Sequence, residues 1–301
     1  MEKAEVAVVG AGFAGMSAAL YAARVGAQVT LFERAAAGGQ ILTAGRVENY
    51  PAGGMTDGAA LAASLEEQVL AAGVDICREE VLGAGRSRDA VRLLLPNGER
   101  FCRALILAVG AKRRRLGVPG EDRFVGHGVS WCAACDGAFY RGQDVAVVGG
   151  GNAAFSEAIE LASVCRSVTL LYRAAKPRAE QALQERAGRI ANLKQEAQSR
   201  ILEILGEKNV TGLRIERAGV QVVLPAAGIF EAVGTVPDTA AFSDFLPLAP
   251  DGGIVTDREC RTVLPGVFAV GDCRTGTFRQ LVTAAADGAI AGNLAVKEFF
   301  L

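Results

Sequence analysis

Histidine and tryptophan are nearly missing from this chain, which has one of each, His127 and Trp131. A structural zinc site needs four nitrogen or sulfur ligands, and one histidine with one close cysteine pair cannot supply them, so no metal is expected. No apolar run approaches the roughly 20 residues that a membrane-crossing helix requires, so no membrane span is expected. Net charge is −1, with 32 basic against 33 acidic residues, which gives no long-range pull toward nucleic acid or a membrane surface. The apolar N-terminus carries Glu2, Lys3 and Glu5 and lacks the basic region of a signal peptide. Cysteines number seven, and apart from one pair they are scattered as Cys77, Cys102, Cys165, Cys260 and Cys273, which is no secreted disulfide framework. A reducing cytoplasm is the expected compartment, with the scattered thiols as small apolar residues.

What is present is glycine, 37 residues of it, in a chain of 301 that is 50% hydrophobic, enough for two cores. Glu5 to Val9 reads as a buried strand, Ala14 to Val25 as a helix and Gln28 to Glu33 as a second strand. The order recurs from Asp144: strand to Val148, glycine turn, helix from about Asn152 to Ser163, strand from Ser167 to Tyr172. Ala104 to Val109 reads as a short apolar strand, Val267 to Asp272 as a strand ending in Gly-Asp, and Phe278 to Phe300 as a closing helix. The stretch from Lys112 to Pro119-Gly120 and the segment Pro237 to Pro250 read as crossovers. The predicted fold is α/β, with two Rossmann-like three-layer nucleotide-binding domains and the second inserted in the first. Residues 1–112 plus 243–301 form the outer domain and 113–242 the inserted one.

Gly10, Gly12 and Gly15 have the G-x-G-x-x-G spacing between a strand and a helix. The first permits the turn, the second admits a pyrophosphate, the third lets helix and strand pack, and the phosphate meets the helix N-terminus. Glu33 closes the next strand, where an acid accepts from an adenosine ribose. Gly38-Gly39-Gln40 and Asn49-Tyr50-Pro51 offer amides to a polar ring edge, Gly271-Asp272 offers a carboxylate to ribityl hydroxyls, and Arg279-Gln280 opens a helix toward a pyrimidine. Together they favour a flavin, FAD, over a nicotinamide at this first site. Cys132-Ala133-Ala134-Cys135 is close enough to cycle between dithiol and disulfide, and it lies between that motif and a second one, Gly149, Gly151 and Ala154. His127 reads as an exposed loop residue. Lys112-Arg113-Arg114-Arg115 reads as a solvated linker, with docking of an acidic protein as the alternative.

These segments, with Val47-Glu48-Asn49-Tyr50-Pro51 and Arg279-Gln280-Leu281-Val282-Thr283-Ala284-Ala285, occur in family order and together resemble low-molecular-weight, bacterial-type thioredoxin reductases. The resemblance implies a homodimer, an FAD domain built from both chain ends, an inserted domain for NADPH that carries the cysteines, and thioredoxin or a thioredoxin-like protein as substrate. It implies Cys135 as the flavin-proximal thiol, Cys132 as the one that attacks the partner, and Asp136 as the acid that manages the proton. Related dithiol oxidases often place histidine where Asp136 stands.

Three sites depart from the NADPH-dependent pattern. The His-Arg-Arg and following Arg that clamp a 2′-phosphate become Tyr172-Arg173-Ala174-Ala175-Lys176-Pro177-Arg178, so Arg173 and Arg178 remain. Ser156 replaces a commonly acidic residue, and His127 a common arginine. A reductase fed by ferredoxin or a second flavin is therefore the alternative, and a redox-sensing flavoprotein without turnover is the alternative of another class.

Overall fold

The computed structural model describes residues 4–44, 47, 49–51, 56–88 and 90–299. The chain forms two compact units, residues 1–112 with 236–301, and residues 113–235, so the second is an insertion in the first.

The outer unit is built on β1 (Ala4–Val9), α1 (Phe13–Arg24), β2 (Val29–Phe32), α2 (Gly58–Ala71), β3 (Asp75–Cys77), β4 (Gly83–Ser87), β5 (Ala90–Leu95) and β6 (Gly98–Leu107). Its sheet order is β3-β2-β1-β6-β5-β4. β6 is longer than the apolar run from Ala104 that announces it. Its C-terminal half pairs parallel with β1, and its more polar N-terminal half pairs antiparallel with β5, so one strand joins a Rossmann-like sheet to a meander. Alternation along β1 sends Val6 and Val8 to a core shared with α1, and Ala7 and Val9 to a core shared with Leu93, Leu107 and Phe242. A buried sheet with two apolar faces is the reason the strand sequence is nearly continuous in valine.

β7 (Ala111–Arg113) leads into the inserted unit. There the chain forms β8 (Val129–Ser130), α3 (Ala133–Asp136), β9 (Asp144–Val148), α4 (Asn152–Ala162), β10 (Ser167–Leu171), α5 (Gln181–Gly188) and β11 (Leu193–Glu196). A three-stranded antiparallel sheet of β12 (Ser199–Gly206), β13 (Val210–Arg217) and β14 (Val220–Pro225) follows, then β15 (Gly228–Glu231). The parallel sheet runs β11-β10-β9-β15-β8, which places β8, and the cysteine motif after it, at one edge.

The chain returns through β16 (Thr235–Pro237), which pairs with β7. The unit boundary thus falls between 235 and 236 rather than at 242/243, because Pro237 ends a paired strand where the sequence suggests a breaker. β17 (Val267–Ala269) joins β6 in parallel, and Gly271–Cys273 forms a single 3₁₀ turn instead of a continuing strand. α6 (Leu281–Phe299) closes the fold against α1, with the Ser17 hydroxyl donating to the Ala285 carbonyl at 2.7 Å. Arg279 and Gln280 precede α6 rather than opening it.

Candidate active site

In the outer unit a cavity of about 570 Å³ opens above the C-terminal ends of β1 and β2. Gly10, Gly12, Glu33, Gly39, Gln40, Asn49, Asp272, Arg279 and Gln280 all line it, although the chain brings them from four separate segments. Gly15 and Gly271 sit outside the lining. Gly10 takes φ +100°, and a Cβ on Gly15 would lie 1.8 Å from the Gly10 carbonyl oxygen, so these two shape the turn and its packing on α1. A Cβ on Gly12 would meet nothing within 4 Å. Gly12 also N-caps α1 with no side-chain partner, leaving the N–H groups of its first turn directed at open space, as an anion requires.

Glu33 accepts from Ala11 N at 2.8 Å and from Ala35 N at 2.9 Å, which pins the glycine turn to the end of β2. Asn49 Nδ2 donates to Gln280 Oε1 at 2.8 Å, and Gln40 Nε2 reaches Asp272 Oδ2 at 3.4 Å. Burial pushes the Asp272 carboxyl above its ordinary value, with Arg279 and Gln40 opposing. Phe13, Phe32, Val81 and Phe242 supply apolar wall. A glycine-floored helix N-terminus, an acid at the end of β2 and amides beside Asp272 form a donor and acceptor set that fits the pyrophosphate, ribose and ring edge of a flavin dinucleotide. Glu48 lies outside the described residues.

In the inserted unit Cys132 and Cys135 are joined as a disulfide across the single turn of α3. Cys132 is half-buried and Cys135 exposed. Cys132 caps the turn, its Sγ accepting from Cys135 N at 3.2 Å. The Asp136 carboxylate accepts from Ser130 Oγ at 2.6 Å, and that hydroxyl accepts from Cys132 N at 3.1 Å. Burial drives the thiols of Cys102 and Cys260 up to about 12 and that of Cys273 to about 11, so they stay protonated and unreactive. Cys273 faces the Leu107 and Val270 carbonyls in the core and does not line the cavity.

The second glycine motif repeats the first. Gly149 has φ +150°, with Ala154 packed beneath it, while Gly151 N-caps α4 without a side-chain bond and opens on empty space. After β10 the chain turns back so that Arg178 N donates to the Gly150 carbonyl at 2.7 Å. That return leaves Arg173, Lys176 and Arg178 exposed around the turn, and no acid stands at the end of β10, where Tyr172 is buried. The set fits a dinucleotide carrying an extra phosphate. His127 is exposed in a turn, and of the basic run Lys112 pairs with Asp238 and Arg115 with Glu121 and Asp122. Among the described residues no cluster could hold a metal, and no helix is long and apolar enough to cross a membrane.

Comparison with known proteins bears on both units at once. The family model described as pyridine nucleotide-disulphide oxidoreductase matches residues 4–288. Thioredoxin reductase of Listeria monocytogenes is 38% identical over 296 residues, covering 97% of this chain and 93% of that protein. The chain belongs to the thioredoxin reductase family. The bifunctional thioredoxin reductase/thioredoxin of Mycobacterium leprae is 39% identical over 293 residues, 95% of this chain and 64% of that longer protein. The crystal structure of Lactococcus lactis thioredoxin reductase in its FR conformation superposes with a TM-score of 0.93 at 36% identity, covering 98% of each chain.

For a thioredoxin reductase the structure adds residues that motif reading passes over. Ser130 holds Asp136, Phe139 is 77% exposed four residues after Cys135, and Trp131 donates to Glu231 from 100 residues away. Only Trp131 left a trace in the sequence, as the sole tryptophan set against the cysteine motif.

Proposed function

We propose that this chain is an FAD-dependent thioredoxin-disulfide reductase that takes electrons from NADPH and passes them through Cys132 and Cys135 to thioredoxin. The observation that carries the reading is the Cys132–Cys135 disulfide with Asp136 oriented beside it, in a unit that has its own dinucleotide turn. FAD, when bound, supplies the conversion of a two-electron hydride donor to a dithiol reductant. The outer unit's residues bind and orient it: Gly10, Gly12 and the α1 N-terminus at the pyrophosphate, Glu33 at the ribose, and Gly39, Gln40, Asn49, Gly271, Asp272, Arg279 and Gln280 around the remainder. Arg173 and Arg178, with Gly149, Gly151 and Ala154, hold NADPH.

Exchange then balances within the cysteine pair. Cys132 as thiolate attacks one sulfur of the thioredoxin disulfide, forming a mixed disulfide and releasing the other thioredoxin sulfur as thiolate. Cys135 attacks the Cys132 sulfur, the mixed disulfide breaks, the second thioredoxin thiolate leaves, and the Cys132–Cys135 bond is restored. Asp136 hands on the proton that a thiolate requires, and the Ser130 hydroxyl fixes the carboxylate for that transfer. Thioredoxin as partner is supported by the relative that is named as reductase and thioredoxin in one bifunctional chain. A cytoplasmic homodimer belongs to the same reading, and the free thiols, four of the five buried, suit a reducing compartment.

The test is NADPH-dependent reduction of oxidised thioredoxin by the FAD-loaded protein. Cys132→Ser and Cys135→Ser are each expected to abolish it while keeping the flavin, and full turnover in either variant would overturn the reading.

A further inference from the structure

Behind the cysteine motif, and not used in the exchange above, lies a closed polar network. Glu231 ends β15 and is buried, with 4% of its surface exposed. Its Oε2 accepts from the Trp131 indole Nε1 at 2.9 Å. Its Oε1 is buried and has no donor within reach. The Glu231 carboxyl interacts with another buried carboxyl, Glu121, 3% exposed.

Glu121 is already supplied with donors. Arg115 Nε reaches its Oε1 at 2.7 Å, Leu116 N the same oxygen at 3.2 Å, and Gly117 N its Oε2 at 2.6 Å. Burial works against its charge, yet Arg115 and the Gly117 N–H hold the Glu121 carboxyl below its ordinary value. The Arg115 guanidinium also lies 5.2 Å from the centroid of the Trp131 ring, which closes the circuit. Two carboxylates cannot satisfy one another, and an orphan buried oxygen beside an ionised partner is destabilising. A proton on Glu231, donated to Glu121, removes both faults. Burial first, then Glu121, pushes the Glu231 carboxyl up to about 8.

We propose that Glu231 is a positioning residue for the redox disulfide: protonated, it accepts from Trp131 and donates to Glu121, fixing the residue that precedes Cys132 and keeping the site free of a second buried anion. Ionised Glu231 loses its bond to Glu121 and adds a negative charge that opposes thiolate formation at the pair. Folding favours the protonated form, so the stability it contributes is complete below the ordinary carboxylate range and is lost as pH rises through about 8. Among the described residues the charged groups that face Glu231 are Glu121 and Arg115, and Asp122 meets Arg115 from the solvent side.

Calling the consequence catalytic rests on the function proposed above, so the test uses neither NADPH nor thioredoxin. Trp131 is the only tryptophan, which makes intrinsic emission a reporter of this network. Emission of the oxidised, FAD-loaded protein and the rate of disulfide reduction by dithiothreitol are measured from about pH 6 to about pH 9 for wild type and Glu231→Gln, the amide mimicking the protonated acid. The wild-type emission is expected to titrate with a midpoint near 8 and the variant's to stay flat. The ratio of wild-type to variant reduction rate, in which the reagent's own titration cancels, should be near one below about pH 7 and fall roughly threefold or more by about pH 9. A flat wild-type emission, the same titration in both proteins, or a ratio independent of pH would each overturn the proposal. Should Glu231→Gln fail to fold, Glu121→Gln is expected to move the wild-type midpoint to lower pH, and an unmoved midpoint would overturn the proposal equally.

Discussion

Ser130 donates its hydroxyl proton to the Asp136 carboxylate at 2.6 Å while accepting from the Cys132 N–H, so one side chain couples that carboxylate to the first cysteine of the pair. Ser130 ends the edge strand β8 and Asp136 ends α3, one on each side of the cysteine pair. A charge-assisted bond of this length is worth about 1.5–3 kcal/mol, and its loss leaves Asp136 free to rotate. Ser130→Ala is therefore expected to lower kcat for thioredoxin reduction by roughly ten- to a hundredfold, with flavin content unchanged. Steady-state assays of the purified holoenzyme check it, and wild-type kcat in the variant would separate Asp136 from Ser130.

The first glycine motif makes a contrast that can be tested with two single methyl groups. A Cβ on Gly12 meets no atom of the folded chain, whereas one on Gly15 would sit 1.8 Å from the Gly10 carbonyl oxygen. Gly12→Ala should thus fold with near wild-type apoprotein stability and bind FAD weakly. Gly15→Ala should be destabilised with or without the flavin, by the roughly 1–3 kcal/mol or more that overpacking costs. Thermal unfolding of both apoproteins, with flavin fluorescence titrations, distinguishes these outcomes.

Donor choice turns on the exposed cations around the second glycine turn. Arg173 and Arg178 are exposed and are the cations we assign to a 2′-phosphate, and Ala174 leaves the set one guanidinium short of the family pattern. Arg173→Ala is expected to raise KM for NADPH about tenfold or more and to leave KM for NADH little changed. Ala174→Arg should lower KM for NADPH. Equal effects of Arg173→Ala on the two nucleotides would remove it from the phosphate site.

Phe139 lies close to the cysteines in sequence and leaves 77% of its surface in solvent. A large exposed aromatic beside a reactive pair is the kind of side chain that anchors a protein partner. Phe139→Ala is expected to raise KM for thioredoxin severalfold and to leave dithiothreitol reduction of the disulfide unaltered. An unchanged KM would place the docking surface elsewhere.

Both nucleotide turns were legible because their chemistry is local: a strand, a glycine turn and a helix N-terminus within about 30 residues. β1 and β9, with the helices after them, fall within a residue or two of their sequence-based bounds. β6 was only half legible, since its N-terminal half, Gly-Glu-Arg-Phe, carries no continuous apolar signal and is a strand only through β5. The return crossover was misplaced because Pro237 serves at a strand end, where the missing N–H is tolerated, rather than as a breaker. The cysteine pair announced itself, but its supports did not. Glu231 reads as one acid in an apolar strand, and only the parallel pairing of β15 with β8 brings it to Trp131.

On the proposed function, Cys132 and Cys135 carry electrons from NADPH through FAD to thioredoxin. The most direct test is anaerobic rapid mixing: FAD-loaded protein is first bleached with enough NADPH to reduce both the flavin and the Cys132–Cys135 disulfide, which take two electrons each, then mixed with oxidised thioredoxin while the flavin absorbance is followed. Bleaching by NADPH and prompt recovery with thioredoxin are expected in the wild type, and bleaching without recovery in Cys132→Ser. Failure of NADPH to bleach the wild type, or equal recovery in Cys132→Ser, would contradict it.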